Sequence, residues 1–262
     1  ILLDRLKNEI TRITACKTFA QIAEAKVEIP EKVLSGALDE LADYLKKFNR
    51  PLRQSALSTL TVFAKSYGAT ITPKQFNTTL QAIQQNKLIS DADLHLAHLA
   101  LDLVSQILDS NPKISTDVKE LIQPKMIELL GSATLQGSAL DSSLRVLKKL
   151  VPVVGFNSLF TVILERGNSA QTKQVFTNVG KSIAAICSSA GDKDTQTTVA
   201  KFVKDLKSGN ENTKLLALFT LGELGRTSDL SSNKAVINDI EEFFDTGSEE
   251  LKNAASYALG NI

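Results

Sequence analysis

Few patterns in this sequence combine residue types and spacings that could do chemistry. His95, His98 and Asp102 lie three and four positions apart, which sets three metal-ligating groups along one side of a helix. They include both histidines of the chain, and a working metal centre needs a tight, partly buried pocket with outer partners for its ligands. The surrounding stretch supplies neither, so these residues are expected to be solvated polar groups. Gly180-Lys181-Ser182 matches the end of a phosphate-binding loop, but that pattern needs a glycine five positions earlier, where Val175 stands. The tripeptide also sits within a helical pattern with no strand ahead of it. Gly180 is therefore expected to admit close helix packing, not a nucleotide. Asn77-Thr78-Thr79 fits the glycosylation acceptor pattern, with no other sign of secretion beside it. Glu241-Glu242 and Glu249-Glu250 lack a second acid or base at a fixed distance and read as a solvated face. No Ser-His-Asp or Cys-His arrangement suggests itself. No catalytic residue, cofactor, metal or small-molecule substrate is expected.

Composition points the same way. The 262 residues give room for one large domain or two small ones. With 43% hydrophobic and 23% charged residues, most of the chain should fold. Aromatics make up only 5%, so Leu and Ala, both helix formers, carry the apolar content. Thirty basic against twenty-nine acidic residues leave a formal charge of +1, which argues against a nucleic-acid surface. Cys16 and Cys187 are isolated and lie outside the helix faces identified below. They fit a reducing compartment, cytoplasmic and nuclear, and are expected to be structurally dispensable. No apolar run approaches the ~20 residues that a membrane span needs. The opening Ile1-Leu2-Leu3-Asp4-Arg5 has neither an initiator Met nor a signal layout, and the chain is expected to be a piece of a longer protein.

The elements that would position these residues repeat. Thr213–Leu224 and Leu251–Ile262 align in register with Lys, Ala, an aromatic, Leu-Gly and a closing aliphatic, 38 residues apart. Ala217, Leu221 and Leu224 share one helix face, since spacings of four and three return to the same side. The same trio recurs at Ala15/Phe19/Ile22, Ala56/Leu60/Phe63, Ala97/Leu101/Val104, Leu140/Leu144/Leu147, Phe176/Gly180/Ile183 and Ala255/Leu259/Ile262. Successive anchors are 41, 41, 43, 36, 41 and 38 residues apart. Arg12, Arg53, Lys173, Lys214 and Lys252 each stand three residues before an anchor. They either bond acidic or carbonyl groups at neighbouring turns or face a partner. Six more amphipathic stretches lie between, near 31–47, 73–85, 115–130, 157–165, 195–206 and 233–244, and Pro124 should kink or break the third.

Two helices per ~40 residues is the HEAT/armadillo pattern, and the short joints favour HEAT. The expected fold is all-α: one solenoid of about six to seven stacked antiparallel helix pairs over residues 1–262. It is expected to form a right-handed superhelix, uncapped at both ends. In such a stack the second helix of each pair lines the face that usually grips a partner. Positions two, six and nine past each anchor point away from the trio at 100° per residue. They supply the candidate partner contacts Lys17, Lys65, Leu99, Lys149, Phe219, Glu223, Arg226 and Tyr257. The apolar members Leu99, Leu103, Phe219 and Tyr257 could instead pack against adjacent repeats.

Four stretches resemble the cullin-associated, neddylation-dissociated proteins, long HEAT-repeat regulators of cullin–RING ubiquitin ligases. They are Ile1–Arg12, Leu135–Leu140, Leu215–Gly225 and Ser248–Gly260, and the opening stretch is the most specific of them. The resemblance implies a non-catalytic scaffold, about a fifth of the family protein. Its family wraps a cullin with its RING subunit, lacking the ubiquitin-like modifier, and promotes exchange of substrate-receptor modules. The family hairpin that blocks the adaptor site has no counterpart in this sequence, so adaptor displacement is not assigned to this stretch. The other reading of the pattern is a different HEAT scaffold, a nuclear-transport receptor or a phosphatase scaffold subunit.

Overall fold

The computed structural model describes residues 1–262, apart from the side chain of Ser208. Among the described residues every regular element is a helix, and they fall into two compact units, Ile1–Met126 and Ile127–Ile262. The first unit holds α1 (Leu2–Lys7), α2 (Arg12–Glu24), α3 (Glu31–Tyr44), α4 (Arg50–Tyr67), α5 (Pro73–Gln85), α6 (Leu94–Ser110) and α7 (Ser115–Leu121). A 3-10 turn at Pro112–Ile114 precedes α7, and α8 (Gln123–Leu130) carries the boundary. The second unit continues with α9 (Gly137–Val154), α10 (Phe156–Asn168), α11 (Lys173–Ala190), α12 (Asp192–Ser208), α13 (Glu211–Gly225), α14 (Lys234–Thr246) and α15 (Glu249–Asn261).

Each unit is a two-layer stack of helix pairs. In the first, α1, α3, α5 and α7 touch in series as one layer, and α2, α4 and α6 form the other. In the second, α9, α11, α13 and α15 lie side by side, with α10, α12 and α14 across from them. The inward trios form the seam between layers. All their residues are buried except Ile22, Leu144, Leu259 and Ile262, which are half-buried. A single pair has one apolar face that it cannot bury alone, so burial requires neighbours on both sides.

Five of the seven second helices start where the sequence provides a side-chain cap, α2 and α9 being the exceptions. Asn49, Asp93, Thr172, Asn210 and Ser248 each accept a backbone N–H of the first turn of α4, α6, α11, α13 and α15. Thr72 and Gln75 close a reciprocal capping box ahead of α5. Pro124 acts as its position predicts: the 115–130 stretch splits at Ile122 into α7 and α8. Pro152 lies inside α9 and does not end it. It has no N–H to offer the Lys148 carbonyl four residues back, and the Ser189 hydroxyl of α11 donates to that carbonyl at 2.9 Å instead.

The period reappears in the hydrogen bonds. Tyr67 donates to the Val27 carbonyl, Gln75 to the Ser35 hydroxyl, Asn77 to Asp117, Arg166 to the Glu128 carbonyl and Asn212 to the Ala170 carbonyl, at separations of 38 to 42 residues. Each bond ties one repeat to the next and satisfies a polar group at the joint. Asn77, the acceptor-pattern residue, is thus engaged between α5 and α7. The two cysteines depart from expectation. Cys16 is 0% and Cys187 1% exposed, both are free thiols, and burial pushes the Cys16 thiol up to about 11. They lie off the trio face but inside the packing between helices, so dispensability does not follow.

Candidate partner-binding face

The eight candidate residues divide by unit. In the first, Lys17 on α2 and Lys65 on α4 are exposed, as the wheel geometry predicts, and Leu99 on α6 is half-buried. In the second, Arg226 at the end of α13 is exposed, Lys149 on α9 and Tyr257 on α15 are half-buried, and Phe219 and Glu223 on α13 are 3% and 4% exposed. The outward placement of Glu223 is therefore wrong, and of the two placements open to Phe219 the structure has the one packed against adjacent repeats. Neighbouring strip positions fail in the same way: Leu103, Ser142, Val146, Asn178, Ser182 and Ala185 are all buried.

The cause is lateral packing. Pointing away from the partner helix of one's own pair is not pointing at solvent when a second helix of the adjacent repeat stands there. The Phe219 ring stacks on Phe176 of α11 at 6.0 Å and 4° and meets Tyr257 of α15 at 5.1 Å. The Glu223 carboxylate accepts the Tyr257 hydroxyl, so a buried acid finds its partner within the stack. Burial, and then that bond, push the Tyr257 phenol well above the usual tyrosine range.

Glycine lets these helices come close. A Cβ on Gly180 would meet the Phe219 carbonyl oxygen at 3.1 Å and Thr220 Cα at 3.2 Å, and one on Gly222 would meet Ala258 Cα at 3.0 Å. Gly180 thus serves helix packing, as its sequence context predicts, and Lys181-Ser182 belong to an uninterrupted helix. His98 faces Asp102 of its own helix at 3.5 Å, and no group of three His, Cys, Asp or Glu able to hold a metal occurs among the described residues.

The basic residues ahead of the anchors have two fates. Arg12 pairs with Glu9 and Lys252 with Glu249, each three residues back. Arg53, Lys173 and Lys214 lie over the rings of Phe48, Tyr257 and Phe243 at 5.5 to 5.8 Å. The two sequence-based alternatives, acidic or carbonyl groups at neighbouring turns or a partner, did not include these rings.

The second helices of the C-terminal unit carry a cluster of cations, with Arg145, Lys148 and Arg226 exposed and Lys181 half-buried. Arg145 and Lys148 of α9, Lys181 of α11 and Arg226 line a shallow groove of about 380 Å³ with Leu144, Ala184 and Ala185. Arg226 is braced: its Nε donates to Asn261 Oδ1 at 2.6 Å, and Asn261 Nδ2 donates to the Tyr257 carbonyl at 2.8 Å. A face of cations over packed helices can hold a macromolecular partner.

The chain is homologous over its full length to part of the cullin-associated NEDD8-dissociated proteins. It is 36% identical to cullin-associated NEDD8-dissociated protein 1 of Arabidopsis thaliana, with 100% of this chain and 22% of that protein covered. With cullin-associated NEDD8-dissociated protein 2 of Mus musculus the identity is 30% at the same coverage of both chains. The chain therefore spans about a fifth of the length of these relatives. No protein-family model matches it. Among solved structures, a designed armadillo repeat protein in complex with the peptide (KR)4 superposes with a TM-score of 0.44 at 14% identity, covering 99% of this chain and 97% of that one.

Proposed function

We propose that this chain is a length of non-catalytic scaffold that contacts a cullin with its RING subunit when carried in its parent protein. There it serves exchange of substrate-receptor modules on a cullin lacking its ubiquitin-like modifier. The observation that carries this reading is the full-length similarity to relatives named for cullin association, with 36% identity to the Arabidopsis thaliana protein. The stack supports it physically. Paired helices present an extended polar face while keeping their trios dry, and contact spread over several repeats needs no single deep pocket. A partner that is a folded protein suits such a face better than a small molecule, which needs a concave, mostly apolar site.

The test is capture kinetics with the full-length parent and with this chain, using purified cullin–RING complex with and without its modifier. The reading expects the parent to bind the unmodified complex at least about tenfold more tightly than the modified one, and this chain to bind weakly alone. Deleting residues 1–262 from the parent should then weaken capture. Full capture without this stretch, or preferential capture of a small GTPase or a phosphatase subunit, would overturn it.

A further inference from the structure

We propose that the cationic groove across α9, α11 and α13 is a docking site for an extended acidic segment of a protein partner, with apolar side chains between its carboxylates. This deepens the functional reading and rests on the chain being a protein-binding scaffold. The groove is built on three successive second helices, each contributing a cation: Lys148 from α9, Lys181 from α11 and Arg226 from the end of α13. Lys148 and Lys181 take part in no ion pair among the described residues, although Lys7, Lys46, Lys47, Lys201, Lys207 and Lys252 each have one. The guanidinium of Arg226 uses only Nε, and its bond to Asn261 holds it in place while the remaining N–H donors stay available. A prepositioned guanidinium beside two ammonium groups suits carboxylates arriving in sequence.

Spacing and lining select the class of ligand. Adjacent helices sit roughly 8–10 Å apart, so three of them span about 20 Å, or about six residues of extended chain. The floor is apolar at Leu144, Ala184 and Ala185, which gives the alternate side chains of an extended segment a dry surface. Two acids also border the groove, Asp141 and the buried Glu223. They oppose the dense, regular charge of a nucleic-acid backbone or a lipid surface more than the spaced carboxylates of a peptide. The near-neutral chain as a whole agrees, since the positive field is local.

The experiment is fluorescence anisotropy of a labelled octapeptide of alternating Glu and Leu against the whole chain, at about 50 mM and about 300 mM salt. The double reversal K148E/K181E should weaken binding at least about tenfold at low salt, while the control K193E/K234E on exposed positions of α12 and α14 stays within about twofold. High salt should weaken the wild type and leave little difference between variants. If K148E/K181E lowers the melting midpoint, K148Q/K181Q replaces it, with a smaller loss expected in the same direction. No peptide binding by the wild type, an equal loss in the control, or tighter binding of a DNA duplex or phosphatidylserine vesicle lost to the same pair would overturn the assignment. Cullin capture by the full-length parent separates the two readings. Peptide binding that survives while cullin capture fails removes the cullin and leaves the groove, and the reverse removes the groove alone.

Discussion

In α4 the residues two and six positions past the anchor, Ser58 and Val62, are exposed and half-buried; in α13 the equivalent Phe219 and Glu223 are buried. Both helices occupy the second layer of their unit, and both have a second-layer neighbour on each side. The difference lies in what stands at the lateral contact. Between α2 and α4 the spacers are large: Phe19 and Phe63 meet edge to face at 5.9 Å. Between α11, α13 and α15 the contacts run through Gly180 and Gly222, where backbone meets backbone. Interaxial distance follows the side chains at the contact. Closer helices enclose the positions beside the contact, and an aromatic stack and a buried Glu–Tyr bond occupy the enclosed space. The same repeat pattern thus yields an open polar strip along α2 and α4 and an enclosed lateral seam along α11, α13 and α15.

That contrast is most directly broken at Phe219. Phe219→Ala removes the middle ring of the Phe176–Phe219–Tyr257 series and should lower stability by about 3–5 kcal/mol. Ser58→Ala, at the equivalent position of α4, should change it by less than about 0.5 kcal/mol. Chemical denaturation of the two variants checks this, and equal effects would mean that the seam is not special. Gly222→Val comes next. The added carbons must push against Ala258 Cα, which belongs to backbone and cannot swing aside, so about 1–3 kcal/mol should be lost. A comparable loss of about 1–3 kcal/mol is expected for Cys16→Ser in the first unit, where a buried thiol becomes a hydroxyl. A melting midpoint unmoved in Cys16→Ser would restore the view that the cysteines are dispensable.

Alkaline pH probes both units at once through the three tyrosines. Burial raises the phenol of Tyr44 to about 12 and lifts Tyr67 and Tyr257 above their ordinary value. Above the unfolded tyrosine pKa of about 10 the unfolded chain releases protons that the folded chain keeps, so stability is full below that pH and falls as pH rises past it. Tyrosinate absorbance should therefore lag the free-tyrosine curve and rise together with loss of helix. Ionisation at an ordinary pH with the helices intact would show that these hydroxyls are open to solvent. Tyr257→Phe should remove part of that dependence, while leaving Glu223 buried without its donor.

How much of this could be read from residues alone depends on how many neighbours a residue has. Ala217, Leu221 and Leu224 were legible because a 3.6-residue period reports the face turned toward the other helix of the pair. Glu223 was misplaced, and Phe219 left open between two placements, because a helical wheel knows one contact and α13 touches four other helices. Gly180 and Gly222 were the available signal, since glycine in a helix interior marks close backbone approach. Only Gly180 was read that way. Pro152 escaped notice because the group that tolerates it, Ser189, lies 37 positions away in the chain. The Arg226–Asn261 brace crosses between α13 and α15 and has no local signature at all.

The smallest expected effect concerns the candidate cations that stayed at the surface. Lys17 and Lys65 are exposed on α2 and α4, Arg226 is exposed on α13, and Lys149 is half-buried on α9. An exposed ion pair contributes about 0–1 kcal/mol, since water screens both charges and each side chain loses rotamers. A single reversal to Glu at Lys17 or Lys65 should accordingly leave both folding and cullin capture by the parent nearly unchanged. Reversing all four should act on the approach of the partner, slowing association at low salt and much less at high salt, with dissociation little altered. This separates the open strip from the lateral seam: truncating Phe219 should first show as lost stability, and the four reversals as lost association rate in a protein that still folds. Stopped-flow association at two salt concentrations, with melting curves alongside, distinguishes the cases. Unchanged association of the quadruple variant at low salt would place the binding face elsewhere, on the first-layer helices or the joints.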